Sequence, residues 1–344
     1  MNAWNTTRVI ILHTSDGIVR GCLALCLMLT AFLLMGCEKN PADPGGRLIP
    51  ETFLFSPYEG PISWHPDGKW LLTEYNDSLG TDAGGYVRYT SGLSLVNVQT
   101  AQTIPIPELQ GYWLAAWNAD GTQVALVKDA QIYTVDVLQM DPPQFDTTTV
   151  RQLTFEGRNF SPHWSPDNEW IAYRRSICEG PQTCGTWICR PTGEDHRFIA
   201  AYGTYSDWNP VTPDELIFSR SHNDSTGSRL GTRLYRYNLQ TADTDQLAYL
   251  SDRMGDHRHF TFAPGGSDIA YLALPYNDVS GIWLMNADGT HPRQVTPKYS
   301  MDFDWSPDGT QLVFRKYAYF EALPGNGHLW LINRDGSGVR QLTK

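Results

Sequence analysis

Hydrophobic and polar residues alternate along the chain as short apolar runs separated by tight turns. Runs such as VALV, WIAY, LIFS and LVFR are rich in β-branched and aromatic residues and are bounded by Pro, Asp, Asn and Gly. This pattern is typical of β-strands that end in tight turns. After the N-terminal segment, no long stretch has the 3.6-residue periodicity of an amphipathic helix. The pattern therefore predicts an all-β domain.

One sequence unit occurs six times from residue 62 onward. Each copy has an aromatic residue, a turn close to S-P-D-G, two apolar strands and a segment that ends near Q-L-T. The copies begin with ISWHPDGKWLLTEY (62–75), AAWNADGTQVALV (115–127), PHWSPDNEWIAYRR (162–175), SDWNPVTPDELIFSR (206–220), FTFAPGGSDIAYLA (260–273) and FDWSPDGTQLVFRK (303–316). The recurring aromatics, called the repeat aromatics below, are spaced 43 to 54 residues apart and are Trp64, Trp117, Trp164, Trp208, Phe262 and Trp305.

A repeat of this length holds one four-stranded antiparallel sheet. One such sheet cannot bury both of its faces, whereas six sheets arranged radially pack on one another. We therefore predict a six-bladed β-propeller over residues 52–344, with the repeat aromatics in the core between blades. Two segments compete to complete the last blade: TFLF (52–55), or VRQLT at the end of the chain.

The motifs aromatic-S-P-D-G, I-W-Φ-Φ-N-x-D-G and R-Q-L-T resemble the WD40-like (PD40) repeats of the TolB-type β-propellers. The resemblance runs from about Thr52 to the end of the chain. The second copy departs from it with Asn118-Ala119 in place of Ser-Pro, the fourth has an extended turn, and the fifth reads Ala-Pro-Gly-Gly. TolB has a separate domain before its propeller where this chain has a short polar segment, so we do not expect TolB's own partners to carry over.

The N-terminal segment has the features of a targeting signal. Its apolar run, GCLALCLMLTAFLLMGC (21–37), is shorter than the roughly 20 residues that a membrane-spanning helix needs. The end of the run, LMGC, resembles the lipobox of bacterial lipoproteins, in which the cysteine is lipidated. We therefore expect a signal peptide over 1–37, lipidation of Cys37 and a flexible tether over 38–51. An uncleaved N-terminal anchor is the alternative, and either arrangement predicts a membrane-anchored domain in the periplasm or at the cell surface.

The net charge bears on which partners the protein can bind, and the cysteines bear on whether a disulfide is expected. The net charge of −11 repels phosphate backbones, so nucleic acid is not expected as a partner. In an oxidising compartment a disulfide is expected between Cys178 and Cys184, which bracket the loop EGPQT. Cys189 lies in the apolar run TWIC and is expected to be a buried thiol. A zinc site built from the three cysteines is the alternative, although no C-x-x-C spacing is present.

The connections between blades are the most variable segments. We letter the strands of a blade a to d from the axis outward, so that the a–b and c–d turns form one face (the turn face) and the d–a and b–c connections form the other (the connection face). The d–a connections mix aromatics with Arg and His, a composition enriched at binding surfaces. The residues predicted to bind a partner are Tyr58, Tyr112, Arg158, Tyr205, Arg253, His257, Arg258, His259 and Tyr299.

One cluster in these connections has the chemistry of a metal site. His257 and His259 lie two apart before the fifth repeat aromatic, and Asp302 occupies the position equivalent to His259 in the sixth copy. Two imidazoles and a carboxylate suit a divalent metal, or they form a charge pair lining a wet channel. Oligogalacturonate lyases share this repeat type and use histidines and a metal.

Hydrolase and nucleotide-binding motifs are absent from the sequence. The favoured function is a non-catalytic binding or scaffold module, monomeric and without a cofactor, whose partner is a cell-envelope protein or glycan. The alternative is a metal-dependent carbohydrate-active enzyme similar to those lyases, with its site at the mouth of the propeller channel.

Overall fold

The computed structural model describes residues 62–81, 87–176, 183–251, 256–274, 281–298, 300–316 and 327–343, with side chains except at 75–81, 87–91, 256–257 and 274. These residues form six four-stranded antiparallel sheets, which confirms the predicted six-bladed β-propeller. A short 3-10 helix at Pro107–Leu109 follows the first blade. Within the described ranges, no helix is long and apolar enough to span a membrane.

Each blade consists of four consecutive strands. Blade 1 contains β1 (Ser63–Trp64), β2 (Trp70–Thr81), β3 (Val87–Asn97) and β4 (Thr103–Pro105). Blade 2 contains β5 (Trp113–Trp117), β6 (Gln123–Lys128), β7 (Gln131–Gln139) and β8 (Gln144–Gln152). Blade 3 contains β9 (Arg158–Trp164), β10 (Ile171–Ser176), β11 (Gly185–Cys189) and β12 (Arg197–Ala201).

The second half of the chain repeats this order. Blade 4 contains β13 (Ser206–Trp208), β14 (Glu215–Asn223), β15 (Arg229–Asn238) and β16 (Thr244–Ser251). Blade 5 contains β17 (Asp256–Phe262), β18 (Asp268–Leu274), β19 (Gly281–Asn286) and β20 (Arg293–Gln294). Blade 6 contains β21 (Ser300–Trp305), β22 (Gln311–Lys316), β23 (Leu329–Asn333) and β24 (Arg340–Gln341). Strand β24 pairs with β23, so the VRQLT segment supplies the outer strand of blade 6, while TFLF lies outside the described residues.

The hydrophobic core lies between the blades. Six clusters of buried side chains occur among the described residues, one at each junction of neighbouring blades, and each cluster contains one repeat aromatic. The six repeat aromatics are 3 to 8% exposed. The structure therefore confirms that the repeat aromatics pack between the blades.

The a–b turns explain the S-P-D-G signature. In blade 6, Oδ1 of Asp308 accepts a 3.0 Å hydrogen bond from the N–H of Thr310 and a 2.6 Å bond from the Ser306 hydroxyl. Gly309, between them, has a φ of +66°, which glycine adopts without steric cost. Blade 3 has Asn168 at this position with a φ of +62°, and Asn is one of the few other residues that tolerates this region.

The threonine of the Q-L-T signature follows strand d and forms a hydrogen bond to strand c. In blade 2, the Thr154 hydroxyl accepts a 2.9 Å hydrogen bond from the backbone N–H of Ile132, and the Gln152 amide donates to the Thr154 carbonyl at 2.7 Å. Leu153, between them, is fully buried. The equivalent threonines of blades 5 and 6, Thr296 and Thr343, accept the same bond from strand c.

Strand a of four blades contains a β-bulge. The residue three positions before the repeat aromatic has a positive φ, where the register with strand b shifts by one residue. These bulge residues are Leu114 (+48°), Ser161 (+52°), His259 (+47°) and Asp302 (+38°). Such bulges change the direction in which a side chain points. His259 and Asp302 therefore occupy equivalent positions in adjacent blades.

Side-chain contacts join blade 6 to blade 1, at a junction called the seam below. Trp64 and Leu71 of blade 1 pack in one buried cluster with Val313 and Leu331 of blade 6. Because each sheet is made of consecutive strands, the described residues contain no strand exchanged across the seam.

A polar network accompanies this packing at the seam. The Arg315 guanidinium donates to the Thr73 hydroxyl at 2.5 Å and to the Glu74 carbonyl at 3.1 Å, and its Nε lies 3.6 Å from Oδ2 of Asp302. The Glu74 carboxylate in turn accepts a 2.8 Å bond from the N–H of Leu114 in blade 2. One buried network therefore links blades 6, 1 and 2.

A candidate site in the central cavity

A cavity of about 480 Å³ lies on the propeller axis and is bordered by residues from all six blades. The residue immediately before each repeat aromatic borders it, and we call these the wall residues: Ser63, Ala116, His163, Asp207, Thr261 and Asp304. The second residue of each a–b turn also borders it: Pro66, Ala119, Pro166, Pro210, Pro264 and Pro307. Since these turns form the turn face, the cavity reaches that face.

Three wall side chains bind the backbone of the next blade. Oδ2 of Asp207 accepts a 2.8 Å hydrogen bond from the N–H of Phe262 and a 2.9 Å bond from the Thr261 hydroxyl. The Ser63 hydroxyl accepts a 3.0 Å bond from the N–H of Trp117. Asp304 makes the corresponding bond across the seam, to the N–H of Trp64 at 2.7 Å. These polar side chains therefore stabilise the ring as well as lining the cavity.

Two other junctions use the indole of the repeat aromatic instead. Nε1 of Trp164 donates to the carbonyl of the wall residue Ala116 at 3.2 Å, and Nε1 of Trp208 donates to the carbonyl of His163 at 3.0 Å. In the part of the chain that the structure describes, the indole nitrogens of Trp64, Trp117 and Trp305 have no hydrogen-bond partner. When a wall side chain accepts the backbone N–H of a repeat tryptophan, the indole N–H of that tryptophan forms no hydrogen bond to a neighbouring blade.

The lining of the cavity is acidic. Among its described residues are two carboxylates, Asp207 and Asp304, and no Lys or Arg. Burial raises the pKa of Asp304 to about 7; its bonds from the N–H groups of Trp64 and Trp305 lower the pKa, and the charge of Asp207 raises it. Asp304 therefore takes up a proton near neutral pH, whereas an exposed aspartate does so near pH 4.

The two histidines that border the cavity are neutral. Burial lowers the pKa of His163 despite Asp207, whose Oδ1 lies 3.7 Å from its Nδ1. Burial and the neighbouring His163 lower the pKa of His259 to about 3. The His259 ring is 4.6 Å from the Phe303 ring between centroids, and within the described ranges its buried Nδ1 has no hydrogen-bond partner. His259 therefore presents an unpaired polar nitrogen beside the cavity.

Five of the nine predicted binding residues have described side chains, and these five differ in exposure. Tyr112 packs on Tyr133 at 5.6 Å, His259 is buried, and Tyr205 packs against the core between blades 4 and 5. Arg158 is exposed and Arg258 is half-buried in strand β17. Four of the predicted residues cannot be placed: Tyr58, Arg253 and Tyr299, and the side chain of His257, lie outside the described part of the chain.

The predicted metal set is described only in part. Asp302 is 7% exposed and forms an ion pair with Arg315, a cation that competes with a metal for this carboxylate. Among the described residues, no group of three or more His, Cys, Asp and Glu side chains is close enough to hold a metal ion. Because the His257 side chain lies outside them, the set of His257, His259 and Asp302 stays a prediction.

The disulfide and the lipidation site are likewise predictions. Cys184 is disulfide-bonded, but Cys178, its predicted partner, lies outside the described residues, as does Cys37. Cys189 is a buried free thiol, and burial raises its pKa to about 12.

Sequence reasoning missed the wall residues. His163, Asp207 and Asp304 each directly precede a repeat aromatic, and this fixed position was the available signal. It also missed two exposed aromatics of the connection face, Phe155 (73% exposed) and Tyr202 (61% exposed), which lie in the d–a connections that suggested binding.

Known proteins similar to this chain include solved β-propellers. No family model matches the chain. An uncharacterized protein of Agrobacterium fabrum (strain C58) is 27% identical over 172 residues, which cover 48% of this chain and 55% of that protein. The chain thus spans about half the length of the curated relative it matches.

Solved structures with the same architecture include two TolB proteins and a lyase. A TolB-type protein from Agrobacterium tumefaciens has a TM-score of 0.56 at 17% identity, over 72% of this chain and 87% of that one. TolB from Acinetobacter baumannii has a TM-score of 0.57 at 20% identity, over 78% of this chain and 62% of that one. An oligogalacturonate lyase in complex with manganese has a TM-score of 0.51 at 14% identity, over 80% of this chain and 88% of that one. The described part of the chain is therefore a six-bladed β-propeller whose fold is similar to that of the TolB propellers.

Proposed function

We propose that this protein is a lipid-anchored, extracytoplasmic binding or scaffold module without catalytic activity, whose partner is a cell-envelope protein or glycan. The observation that carries this proposal is the state of the polar groups on the axis. Asp207 and Asp304 accept backbone N–H groups of the next blade, yet a cavity of about 480 Å³ remains between the blades. A rigid ring with a preformed cavity suits recognition of a ligand.

The same contacts argue against Asp207 and His163 acting as an acid–base pair. A general base must be free to accept a proton from a substrate at hydrogen-bond distance. Oδ2 of Asp207 already accepts two hydrogen bonds, and each oxygen of Asp304 accepts one. The neutral His163 lies 3.7 Å from Asp207, which is too long for the hydrogen bond of a catalytic pair.

The proposed binding surface is the turn face, around the rim of the cavity. Photo-crosslinking in whole cells tests it, with a photoreactive residue at Val211, which is 63% exposed beside the rim residue Pro210. Phe155 reports the connection face, and Tyr249 on the outer strand β16 serves as control. An adduct from Val211 that is absent from Tyr249 supports the proposal. An adduct only from Phe155 moves the partner to the connection face, and no adduct from either contradicts a binding function.

A second candidate is a metal-dependent carbohydrate-active enzyme. It is favoured by the similarity to the manganese-bound lyase and by the unpaired Nδ1 of His259 beside the cavity. Metal analysis of the protein purified with and without added Mn²⁺ tests it. A stoichiometric metal and a melting temperature that falls with chelator would support the enzyme; their absence would remove it.

A further inference from the structure

We propose that the central cavity binds an organic cation with N–H donors, an alkylammonium or a guanidinium group. The group comes either from a free small amine or from a Lys or Arg side chain inserted by a protein partner. The protein source rests on the proposed binding function, whereas the site itself rests only on the lining of the cavity.

The first observation is the charge of this lining. Asp207 and Asp304 both border the cavity, and no Lys or Arg does so among its described lining residues. The nearby Arg315 is already engaged with Thr73, Glu74 and Asp302. Buried carboxylates without a cationic partner are unfavourable, so an entering cation is stabilised while an anion is repelled.

The second observation is the unused hydrogen-bonding capacity. Each carboxylate oxygen can accept two hydrogen bonds. The two oxygens of Asp304 accept one bond each, and Oδ1 of Asp207 lies 3.7 Å from Nδ1 of His163. Open acceptors on both carboxylates therefore face a cavity whose charged lining supplies no donors.

The third observation, independent of the carboxylates, is His259. It is 7% exposed, it borders the cavity, and its Nδ1 has no hydrogen-bond partner among the described residues. A buried polar nitrogen without a hydrogen bond destabilises the fold unless a bound molecule satisfies it. A polar ligand group that reaches Asp304 and Asp207 would lie in the same cavity as this nitrogen.

The walls suit the apolar part of such a ligand. The rings of the repeat aromatics, five indoles and one phenyl, and the prolines of the a–b turns surround the acidic groups. Alkyl chains pack on aromatic rings while their charged ends reach polar groups, and aromatic faces attract cations. No group of three His, Cys, Asp and Glu ligands for a metal occurs in the described ranges, which favours an organic cation.

Calorimetric titration of the purified full-length protein in detergent tests the site. The probes are n-pentylammonium, the neutral n-pentanol and Ca²⁺. We expect pentylammonium to bind and pentanol not to bind. Asp304→Asn and Asp207→Asn are each expected to weaken pentylammonium binding at least about tenfold, the loss of one charge-assisted bond. Asp245→Asn, a change of an exposed aspartate on β16, is the matched control and should leave binding unchanged.

Three results would overturn the proposal: no binding of pentylammonium, equal binding of pentanol, or unchanged affinity in both Asp→Asn variants. Binding of Ca²⁺ without binding of the amine would overturn it too. Circular dichroism checks that the variants fold, and Asn keeps an oxygen that can accept the Trp64 N–H. Should a variant unfold, the wild-type protein still decides, because its affinity for pentylammonium must fall as the pH is lowered and Asp304 takes up a proton.

Capped peptides distinguish the two sources. A peptide with one Lys that binds at least about tenfold more tightly than pentylammonium, while its norleucine analogue does not, identifies a protein side chain. Tighter binding of spermidine or free lysine identifies a small amine. If purified protein binds the amine but no crosslinked partner forms in cells, the cation site stands and the proposed partner is wrong.

Discussion

Oδ2 of Asp304 accepts a 2.7 Å hydrogen bond from the backbone N–H of Trp64, which lies 240 residues earlier in the chain. The other oxygen of the same carboxylate accepts the N–H of Trp305 at 2.8 Å. One side chain therefore connects the innermost strands of the last and first blades and also lines the central cavity. Stability and ligand binding meet at this residue.

Replacing Asp304 by alanine should weaken the seam. We expect Asp304→Ala to lower the free energy of unfolding by about 2 kcal/mol, because the buried N–H of Trp64 would lose its acceptor. Urea unfolding at about pH 3, where Asp304 is protonated in both the folded and the unfolded state, measures this loss without the effect of ionisation. Asp245→Ala, at an exposed position, should change stability by less than about 0.5 kcal/mol. Equal effects of the two substitutions would show that the bond contributes nothing.

The stability that Asp304 and Asp302 contribute should fall as pH rises from about 4 to about 7, whereas the lowered pKa of His259 acts in the opposite direction over this range. The pKa values of Asp304 and Asp302 are raised by burial to about 7 and about 6, above the ordinary value of 3.8. The folded state thus holds protons that the unfolded state has released, so the stability these groups contribute is full below pH 4 and is lost as pH approaches 7. For Asp304 the loss is about 4 kcal/mol, at about 1.4 kcal/mol per pH unit.

The variant Asp304→Asn isolates this effect. Its unfolding free energy, measured by urea at several pH values from 4.5 to 7.5, should decline less steeply than that of the wild type. Parallel pH profiles for the two proteins would contradict a raised pKa at this position.

The threonine of Q-L-T should stabilise its blade. Thr154→Val keeps the shape of the side chain but removes the acceptor of the buried Ile132 N–H. We expect a loss of about 1 to 3 kcal/mol in unfolding free energy. Thr244→Val, at an exposed position of β16, is the control and should be nearly neutral. A neutral Thr154→Val would mean that the bond found in three blades has no energetic role.

Arg315 should hold the seam closed. Arg315→Met leaves Asp302 buried without its ion pair and should lower stability by about 3 kcal/mol. Hydrogen exchange by mass spectrometry should then increase in blades 1 and 6 and stay unchanged in blades 3 and 4. Arg340→Met, at an exposed position of β24, is the control. Uniform acceleration across all blades would show that the residue does not act locally.

Cys37 should anchor the protein to a membrane. Cys37→Ala is expected to release the protein from the membrane fraction and to abolish its labelling with a fatty-acid probe. Cys26→Ala, within the apolar run of the same segment, should leave both unchanged. Native protein that takes up no acyl label would refute lipidation at this site.

The repeat made the architecture predictable. Trp164 and Trp305 stand at the same place in their copies, and a radial arrangement is the simplest way to bury all such faces at once. The Gly309 turn and the Thr154 cap act within a blade, over short distances in sequence. Local chemistry of this kind can be deduced from the chain.

The candidate site could not be deduced in the same way. Asp304 and Trp64 meet only because the ring closes, and the sequence alone does not fix which groups face each other there. The bulges at His259 and Asp302 shift the register by one residue, so simple alternation assigns the direction of their side chains incorrectly. For the same reason the ion pair of Asp302 with Arg315 was not foreseen.

The wall residues have a consequence for how such a protein can evolve. Each blade contributes a single wall position, and the positions already differ: Ser63, Ala116, His163, Asp207, Thr261 and Asp304. Ala116 shows that a wall residue without a polar side chain is tolerated, since the Trp164 indole then binds the backbone carbonyl instead. Selection can therefore alter ligand preference one position at a time without changing the interior of a blade, as long as another group takes over the bond to the next blade.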